Sequence, residues 1–510
     1  MMETVTQLVR HFFLYSKTEP MLFSGIIFWG FLLVLLAGYQ LVYRRNHLRN
    51  VYLLAFSLFF YYKSGGLFFW LLIFSTVIDY TLGLAIGKTE KKLVRKMLVS
   101  FSVIVNLGVL SYFKYAYFYI NTINSWFGTH LHVTNLLAEW SNQISGSHFD
   151  PLVIILPVGI SFYTFQTISY TVDVYRRLIP PVKSILDFGF YVSFFPQLVA
   201  GPIVRASEFI PQIYTKYHLS KDELSHAIFL IIIGLIKKIA VSNYISINFV
   251  DRIFLSPTSY SGFEILMGVY GYALQIYCDF SGYTDIALGV ALLLGFRLPV
   301  NFNSPYKATS ITNFWHRWHI SLSRWLRDYL YIPLGGNRKG KIRTYANLLV
   351  TMLLGGLWHG ASLKFMVWGG MHGVALATER LFGIGRSESQ KKLSWWKKGV
   401  AIILTFNFVC LAWIPFRAGS FADASLIVSR IASAFSFTAI PSILLGYKSV
   451  FIVMAIGYAA HWFPSQAKEN LRGKFIQAHW SIKILAIIAV AFTLAQVRSA
   501  EVLPFIYFQF

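Results

Sequence analysis

The stretch that decides the fold is "ILMGVYGYALQIYCDFSGYTDIALGVALLLGF" (residues 265–296), a long apolar run that contains only two carboxylates, Asp279 and Asp285. A helix needs about 20 predominantly apolar residues to cross a bilayer, and this run is longer than that. Comparable runs occupy residues 22–43, 227–240 with their flanks, and 482–497. The sequence therefore predicts an all-α, polytopic integral membrane protein.

The overall composition supports the same class of protein. Of the 510 residues, 56% are hydrophobic and 13% are charged, whereas soluble domains carry about 25% charged residues. We expect about ten or eleven crossings in a single membrane-embedded domain over residues 1–510. Residues 184–205 contain glycine and two prolines and are predicted to form a re-entrant segment, which is tolerated at membrane depth only when protein surrounds it.

The net charge of +24 follows the pattern of membrane topology rather than that of a nucleic-acid surface. Basic residues cluster in short segments between apolar runs, such as 44–49, 88–96 and 337–343, whereas residues 121–151 contain no Lys or Arg. Short basic loops stay on the cytoplasmic side and attract anionic lipid. We therefore expect membrane lipid, and no nucleic acid, among the partners.

The segment "ITNFWHRWHISLSRWLRDYLYIPLGGNRKGK" (311–341) concentrates ionisable groups within this apolar chain. A helix over residues 313–331 would set Arg324 and Asp328 at ion-pair spacing. Several charges at the bilayer centre would cost roughly 10 kcal/mol or more. The segment is therefore predicted to lie at the interface or in a protein-lined, water-filled cavity.

His319 is the residue of this segment that favours a catalytic function. In the predicted helix it shares an apolar face with Trp315, Leu322 and Leu326, at helical spacing. A purely structural amphipathic helix would explain the rest of the segment. A histidine on the apolar face, however, is expensive to protonate, and a neutral imidazole can remove the proton from a hydroxyl group.

A second histidine, His359, lies in "LLGGLWHGAS" (353–362), where the glycines let a neighbouring backbone approach closely. An ionisable residue in an apolar span is a functional candidate, although a structural histidine remains the alternative. We predict His319 and His359 as the catalytic pair. The residues predicted to support them are Trp315, Trp318, Asp279, Ser323, Trp358 and His372.

Other chemistry is less well supported by the sequence. His316 and His319 have a spacing that zinc could use, with His359 as a third ligand, but no carboxylate or thiolate obviously completes the set, and we expect no metal. Asp279 and Asp285 must be paired or protonated in an apolar segment, either by neutralising buried arginines or by orienting a histidine. Neither Ser321 nor Ser323 has a convincing base and orienting group for a nucleophile.

The two histidine segments resemble the signature regions of the membrane-bound O-acyltransferases, with most similarity to the bacterial alginate O-acetyltransferase branch. Further similar segments are "LPVGISFYTFQTISYTVDVYR" (156–176), "FFPQLVAGPIVR" (194–205), "QIYCDFSGYTDIALGVALLLGFRLPVNFNSPY" (275–306) and "LAWIPFRA" (411–418). The resemblance covers about residues 50–420. It implies a bundle of many helices with a central tunnel, and it places the family's two histidines on His319 and His359.

The resemblance also implies a reaction. An acetyl group would pass from a cytoplasmic thioester, acetyl-CoA being the expected co-substrate, to an exopolysaccharide or cell-envelope glycan. The acceptor would react directly or through an extracytoplasmic esterase-like partner, in the inner membrane of a bacterium. The donor phosphates could be attracted by Arg338, Lys339, Lys341 and Arg343, although topology alone accounts for these charges. No permanently bound cofactor is expected.

Three alternatives remain open at this stage. The family includes the D-alanyl transferases of teichoic acid synthesis, so D-alanyl transfer to a cell-wall polymer is one of them. Transfer of a longer acyl chain to a lipid is the second. The third is a transporter without catalysis, for which inverted repeats around a midplane site would be typical.

Overall fold

The computed structural model describes residues 12–16, 20–145, 150–199, 201–384 and 394–497. Within these ranges the regular structure is helical throughout, as the sequence predicts. The predicted single domain over residues 1–510 extends beyond the described residues at both ends.

The helices are numbered in chain order. The first eleven are α1 (Ile26–Val42), α2 (Asn46–Gly65), α3 (Phe69–Lys88), α4 (Lys92–Leu110), α5 (Ala116–Phe127), α6 (Leu136–Ser145), α7 (Ile160–Tyr175), α8 (Ile185–Ser193), α9 (Phe195–Leu198), α10 (Ala206–Ile213) and α11 (Lys221–Leu235). The next six are α12 (Asp251–Leu255), α13 (Gly262–Leu293), α14 (Ile311–Trp315), α15 (Ile320–Leu326), α16 (Lys341–His359) and α17 (Leu363–Leu381). The last six are α18 (Trp395–Arg417), α19 (Phe421–Ser433), α20 (Ile440–Gly446), α21 (Lys448–Trp462), α22 (Ser465–Gln477) and α23 (Trp480–Val497).

Short π-helical turns interrupt several of these helices. They lie at Ser111–Tyr115, Ile236–Asn243, Ser246–Val250 and Arg327–Tyr331. Such turns are rare and often mark functional sites. One of them, Ser111–Tyr115, contains Lys114, which donates to the carbonyl of His359, and another, Arg327–Tyr331, directly follows α15.

Five continuous helical stretches in the described part of the chain are long and apolar enough to cross a membrane, or up to seven if each of two bent helix pairs forms one span. The predicted count of ten or eleven crossings is higher than length and composition alone support. Shorter helices fall outside this count, including the apolar α1 with 17 residues and α7 with 16 residues.

Hydrogen bonds between distant segments define one side of the molecule, which we call the basic face. Arg49 Nη2 donates to the carbonyl of Ile213 at 2.6 Å, and Lys468 Nζ donates to Ser304 Oγ at 3.2 Å. Arg95 reaches the C-terminal end of α7. The basic segments at 44–49 and 88–96 are therefore each anchored to the end of a helix distant in sequence.

The other ends of the same helices meet on the opposite side, which we call the distal face. Tyr61 donates to the carbonyl of Val158 at 2.7 Å, and Tyr115 donates to that of Leu357 at 2.9 Å. Arg417 forms an ion pair with Asp251 at 2.6 Å. Helix α16 therefore starts at the basic face and runs towards the distal face, where it ends at His359.

The longest helix, α13, forms the centre of the bundle and contains the stretch quoted first. Most of its side chains are buried, including those of Tyr272, Phe280 and Tyr283. Its glycines allow close packing: a Cβ at Gly282 would lie 2.7 Å from the carbonyl oxygen of Gly234 in α11. Small residues at such positions let membrane helices approach one another.

The segment predicted to be re-entrant forms the short helices α8 and α9, separated by a break at Phe194. Neither helix is long enough to cross a bilayer, which needs about 20 residues. The large side chains of the segment, from Phe188 to Leu198, are buried in protein. This is the environment in which interrupted backbone is tolerated at membrane depth.

Candidate active site

The predicted continuous helix over residues 313–331 is wrong. Helix α14 ends at Trp315, and α15 begins only at Ile320. Between them, the amide of Asn303 donates to the carbonyl of Arg317 at 2.9 Å, and the amide of Ile320 donates to that of Asn301 at 3.0 Å. These long-range bonds occupy the carbonyl of Arg317 and the amide of Ile320, which would bond within the helix if it were continuous.

His319 lies at this break with φ 42°, in the left-handed region, which non-glycine residues rarely adopt. Its side chain is fully buried. The imidazole packs edge to face against Phe280 of α13, with ring centroids 4.7 Å apart. Its Nδ1 lies 3.2 Å from Asn301 Oδ1, and its Nε2 has no hydrogen-bond partner among the described residues.

His359 is positioned by the C-terminal end of α16. Lys114, in the first π-helical turn, donates from Nζ to the carbonyls of Trp358 at 2.6 Å and His359 at 3.2 Å. A cation at this end of a helix satisfies carbonyls that lack partners within the helix and interacts favourably with the helix dipole. Lys114 therefore fixes the end of the helix that carries His359.

Trp358 packs against both predicted catalytic histidines. Its ring centroid is 6.1 Å from that of His319 and 5.0 Å from that of His359. The indole is also stacked on Phe165 of α7 at 5.3 Å, and it is 4% exposed. The structure therefore brings His319 and His359 together on one indole, although they lie 40 residues apart in the sequence.

A cavity of about 120 Å³ on the distal side, the distal cavity, reaches His359. It is lined by Lys114, residues 156–162, Val199, Trp358 and His359. Its wall includes the start of α7, where Gly159 has φ 73° and where a Cβ would lie 2.7 Å from the carbonyl oxygen of Leu198. His319 is not among the lining residues.

A second cavity, of about 510 Å³, opens on the basic side of α15, and we call it the basic-face cavity. Its polar lining residues are Thr312, His316, Ser323, Arg324, Arg327, Tyr331, Thr351 and Arg380, and its apolar ones include Trp315, Ile320, Leu326 and Met352. The exposed Arg338, Lys339, Lys341 and Arg343 do not line it. The cations that line this cavity are Arg324, Arg327 and Arg380.

The predicted pairing of Arg324 with Asp328 is not observed. Asp328 instead accepts hydrogen bonds from Arg205 at 2.7 Å and from Arg327 at 2.6 Å. Burial opposes ionisation of this carboxyl group, but the hydrogen bonds from Arg327 and Arg205 hold its pKa below its usual range. Arg324 is left exposed in the basic-face cavity, because the π-helical turn changes the spacing that an ideal helix would give.

Of the supporting residues named from the sequence, some line a cavity and others do not. Trp358 and Ser323 each line a cavity, and Trp315 lines the basic-face cavity while its Nε1 donates to His372 Nδ1 at 3.3 Å. His372 thus bonds a neighbouring helix and lies on neither cavity. Trp318 is fully buried against Phe314 and Trp413 and is a packing residue.

The carboxylates of α13 pair with lysines rather than arginines. Asp279 forms a buried ion pair with Lys238, and Asp285 forms a partly exposed ion pair with Lys237 at 2.6 Å. Both lysines lie in the π-helical turn that follows α11. Breaking a buried pair of this kind typically costs about 3–5 kcal/mol, so Asp279 holds α13 against its neighbour.

Sequence analysis missed two functional candidates, Asn301 and Lys114. Asn301 stands in "LPVNFNSPY" (298–306), and Lys114 stands in "SYFKYAYF" (111–118). A lysine in the middle of an apolar run is itself a signal, because such a charge needs a buried partner. No local pattern marks Asn301, since its contact with His319 depends on the tertiary fold.

Comparison with known proteins agrees with this geometry. A sequence model of the membrane-bound O-acyltransferase family matches residues 176–414, which include both histidines. A peptidoglycan O-acetyltransferase from Helicobacter pylori is 37% identical over 454 residues, covering 83% of this chain and 81% of the relative. The chain belongs to the membrane-bound O-acyltransferase family.

Two other relatives show how broad this membrane-bound O-acyltransferase family is. A probable alginate O-acetylase AlgI from Pseudomonas syringae pv. tomato is 40% identical, covering 78% of this chain and 72% of the relative. A teichoic acid D-alanyltransferase from Bacillus subtilis is 30% identical, covering 54% of this chain and 72% of the relative. The protein is thus a multi-pass membrane acyltransferase.

Proposed function

We propose that this protein transfers an acetyl group from a cytoplasmic thioester, acetyl-CoA, to a hydroxyl group of a cell-envelope polysaccharide or exopolysaccharide. We place it in the inner membrane of a bacterium. The observation that carries the proposal is that His319 and His359 both pack against the indole of Trp358. The distal cavity reaches Trp358 and His359, and the basic-face cavity is lined by Ile320, the neighbour of His319.

The basic-face cavity suits the donor. Arg324, Arg327 and Arg380 line it, and guanidinium groups bind phosphates through several N–H donors in a fixed geometry. Its aromatic and aliphatic walls suit the part of the donor molecule that carries the acyl group. Clustered cations also raise the local concentration of an anionic substrate. The cavity ends against α15, whose first residue, Ile320, follows His319.

The distal cavity suits the acceptor. It is small and polar on one side, with His359, Ser161 and Lys114 in its wall. A hydroxyl group entering there would meet His359, which would orient it, and the neutral imidazole of His319 on the same indole would take its proton. The acceptor oxygen would bond to the thioester carbon while the carbon–sulfur bond breaks, and the proton would pass to the leaving thiolate. The acceptor is the glycan itself or a hydroxyl group of an extracytoplasmic esterase-like partner.

Labelled acetyl transfer by purified protein tests this function. The protein would be incubated with acetyl-labelled CoA and envelope glycans, with and without an esterase-like partner protein. We expect label in the glycan fraction, and loss of at least 100-fold, on the scale typical of general acid–base groups, in folded His319→Ala and His359→Ala. The exposed His132→Ala is the matched control and should keep full activity.

The outcome also separates acetyl transfer from its alternatives. D-alanyl transfer is kept as a second candidate because of the similarity to the Bacillus subtilis D-alanyltransferase. The mass of the transferred group distinguishes an acetyl from a D-alanyl or a longer acyl group. Full transfer by both histidine variants, or glycan flux through proteoliposomes without any thioester, would contradict the proposal.

A further inference from the structure

The strongest unassigned feature of the site is the oxygen of the Asn301 side chain. Three groups converge on Asn301 Oδ1: the amide of Ser321 at 3.0 Å, the hydroxyl of Ser321 at 2.9 Å and Nδ1 of His319 at 3.2 Å. Asn301 is 1% exposed, and His319 is fully buried. Water is therefore excluded from this contact.

The orientation of the Asn301 side-chain amide follows from its hydrogen-bond partners, because the oxygen and nitrogen of the amide have similar shapes. A backbone N–H can only donate, so the atom that faces the Ser321 amide must be the carbonyl oxygen. The hydroxyl of Ser321 can donate to the same oxygen, since Ser321 Oγ accepts from the amide of Ile203 at 3.0 Å. Turning the side chain over would bring the two N–H groups against each other.

This orientation determines the tautomer of His319. An amide oxygen has no proton to give, so a hydrogen bond between it and Nδ1 requires the proton on Nδ1. In a neutral imidazole the other nitrogen, Nε2, then carries the lone pair. Nε2 has no partner among the described residues, so the basic atom is the one that remains available.

The backbone around His319 supports the same arrangement. Left-handed φ is unfavourable at a residue with a side chain and persists where surrounding contacts impose it. Here the carbonyl of Asn301 accepts from the amide of Ile320 at 3.0 Å. Asn301 therefore holds His319 through both its main chain and its side chain.

We propose that Asn301 is a positioning residue that fixes His319 with the proton on Nδ1, leaving Nε2 as the base of the transfer reaction. Asn301 contacts neither cavity and acts through the imidazole. The catalytic part of this inference rests on the proposed function, whereas the tautomer does not. The two parts are therefore measured separately.

The tautomer is tested by nuclear magnetic resonance of protein labelled with ¹⁵N-histidine in lipid nanodiscs. The signal of His319 is the one lost in His319→Gln. We expect the shifts of a neutral ring protonated at Nδ1, and loss of that pattern in Asn301→Ala. A ring protonated at Nε2, or an imidazolium, in the unmodified protein would overturn the inference whether or not acetyl transfer is found.

The positioning effect is tested by acetyl transfer kinetics. We expect Asn301→Ala to lower kcat roughly 100-fold with KM nearly unchanged, because the wrong tautomer removes the base without altering substrate binding. Asn301→Asp keeps an accepting oxygen and should recover most of the loss. The neighbouring Asn303→Ala, whose side chain is exposed, is the matched control.

Equal kcat in Asn301→Ala and the unmodified protein would contradict a positioning function. Equal losses of kcat in folded Asn301→Ala and Asn301→Asp would also contradict it, because Asp keeps the accepting oxygen and Ala does not. Such a result would indicate a structural requirement for asparagine instead. If Asn301→Ala fails to fold, Asn301→Asp and the resonance measurement on the unmodified protein still decide the question.

Discussion

At the scale of single residues, Trp358 sets the relative position of the two histidine rings. Its indole contacts the rings of His319 and His359 and is itself stacked on Phe165. A flat, rigid ring at this point sets the separation of the two imidazoles. Misplacing reacting groups by about 1 Å can cost roughly 100-fold in rate.

We therefore predict that Trp358→Leu lowers kcat roughly 10- to 100-fold, whereas Trp358→Phe, which keeps an aromatic ring, loses much less. The measurement is acetyl transfer per folded protein in detergent or nanodiscs. Trp395→Leu is the control, because Trp395 is 86% exposed. Equal activity in Trp358→Leu and the control would show that the indole does not position the site.

The sequence predicted part of this site for a physical reason. His359 was predicted because it is an ionisable residue in an apolar span, and His319 because it would share the apolar face of a continuous helix that the structure does not form. The partners of these histidines were not predicted, because Asn301 and Lys114 reach them across 18 and 245 residues of sequence. Local periodicity carries no information about such contacts.

At the scale of helices, Lys114 connects α16 to the segment between α4 and α5. Its Nζ satisfies the last carbonyls of α16 and also lies 3.4 Å from Ser161 Oγ. Removing the charge leaves these acceptors unpaired and frees the end of the helix that carries His359. Leaving a buried acceptor unsatisfied typically costs about 1–3 kcal/mol.

We predict that Lys114→Met lowers the unfolding free energy by about 1–3 kcal/mol and also lowers kcat. Lys364→Met is the matched control: Lys364 donates to the carbonyl of Ala418 at 2.7 Å on the same distal face, but it lines neither cavity. Thermal unfolding and acetyl transfer would be measured on both. A similar loss of kcat in the two variants would mean that Lys114 contributes only stability.

Helices α16 and α17 pack with their backbones in direct contact at two glycines. A Cβ at Gly369 would overlap the carbonyl oxygen of Met352, and one at Gly356 would overlap that of Phe365. At the adjacent Gly370 the nearest atom is a flexible side-chain methyl of Leu353, at 3.4 Å. Adjacent glycines thus differ sharply in the room available for a methyl group.

We predict that Gly369→Ala destabilises the protein by about 1–3 kcal/mol, the usual effect of overpacking, and that Gly370→Ala changes stability little. Thermal unfolding of the two variants in the same detergent is the measurement. Equal unfolding temperatures would contradict the close contact of α16 and α17.

At the scale of the whole molecule, apolar runs and basic segments in the sequence were enough to predict a helical membrane bundle with one basic face. They were not enough to predict the number of spans or the interruptions. His319 shows why: its helix breaks because Asn301 and Asn303 compete for its backbone groups. Likewise, only the fold shows that lysines are the partners of Asp279 and Asp285.

In the proposed function, each face of the molecule receives one substrate. The basic-face cavity holds the arginines, and the distal cavity holds His359 and Lys114. The distal cavity reaches Trp358 and His359, whereas the basic-face cavity is lined by Ile320, the neighbour of His319. Donor and acceptor would therefore meet without either one crossing the membrane completely.

Sidedness of transfer tests this central claim most directly. Protein inserted in one orientation into sealed liposomes would receive acetyl-labelled CoA only on the basic face and acceptor only on the distal face. We predict label on the acceptor in the distal compartment, and its loss in His319→Ala and His359→Ala. Label that appears only when donor and acceptor share a compartment would contradict the account.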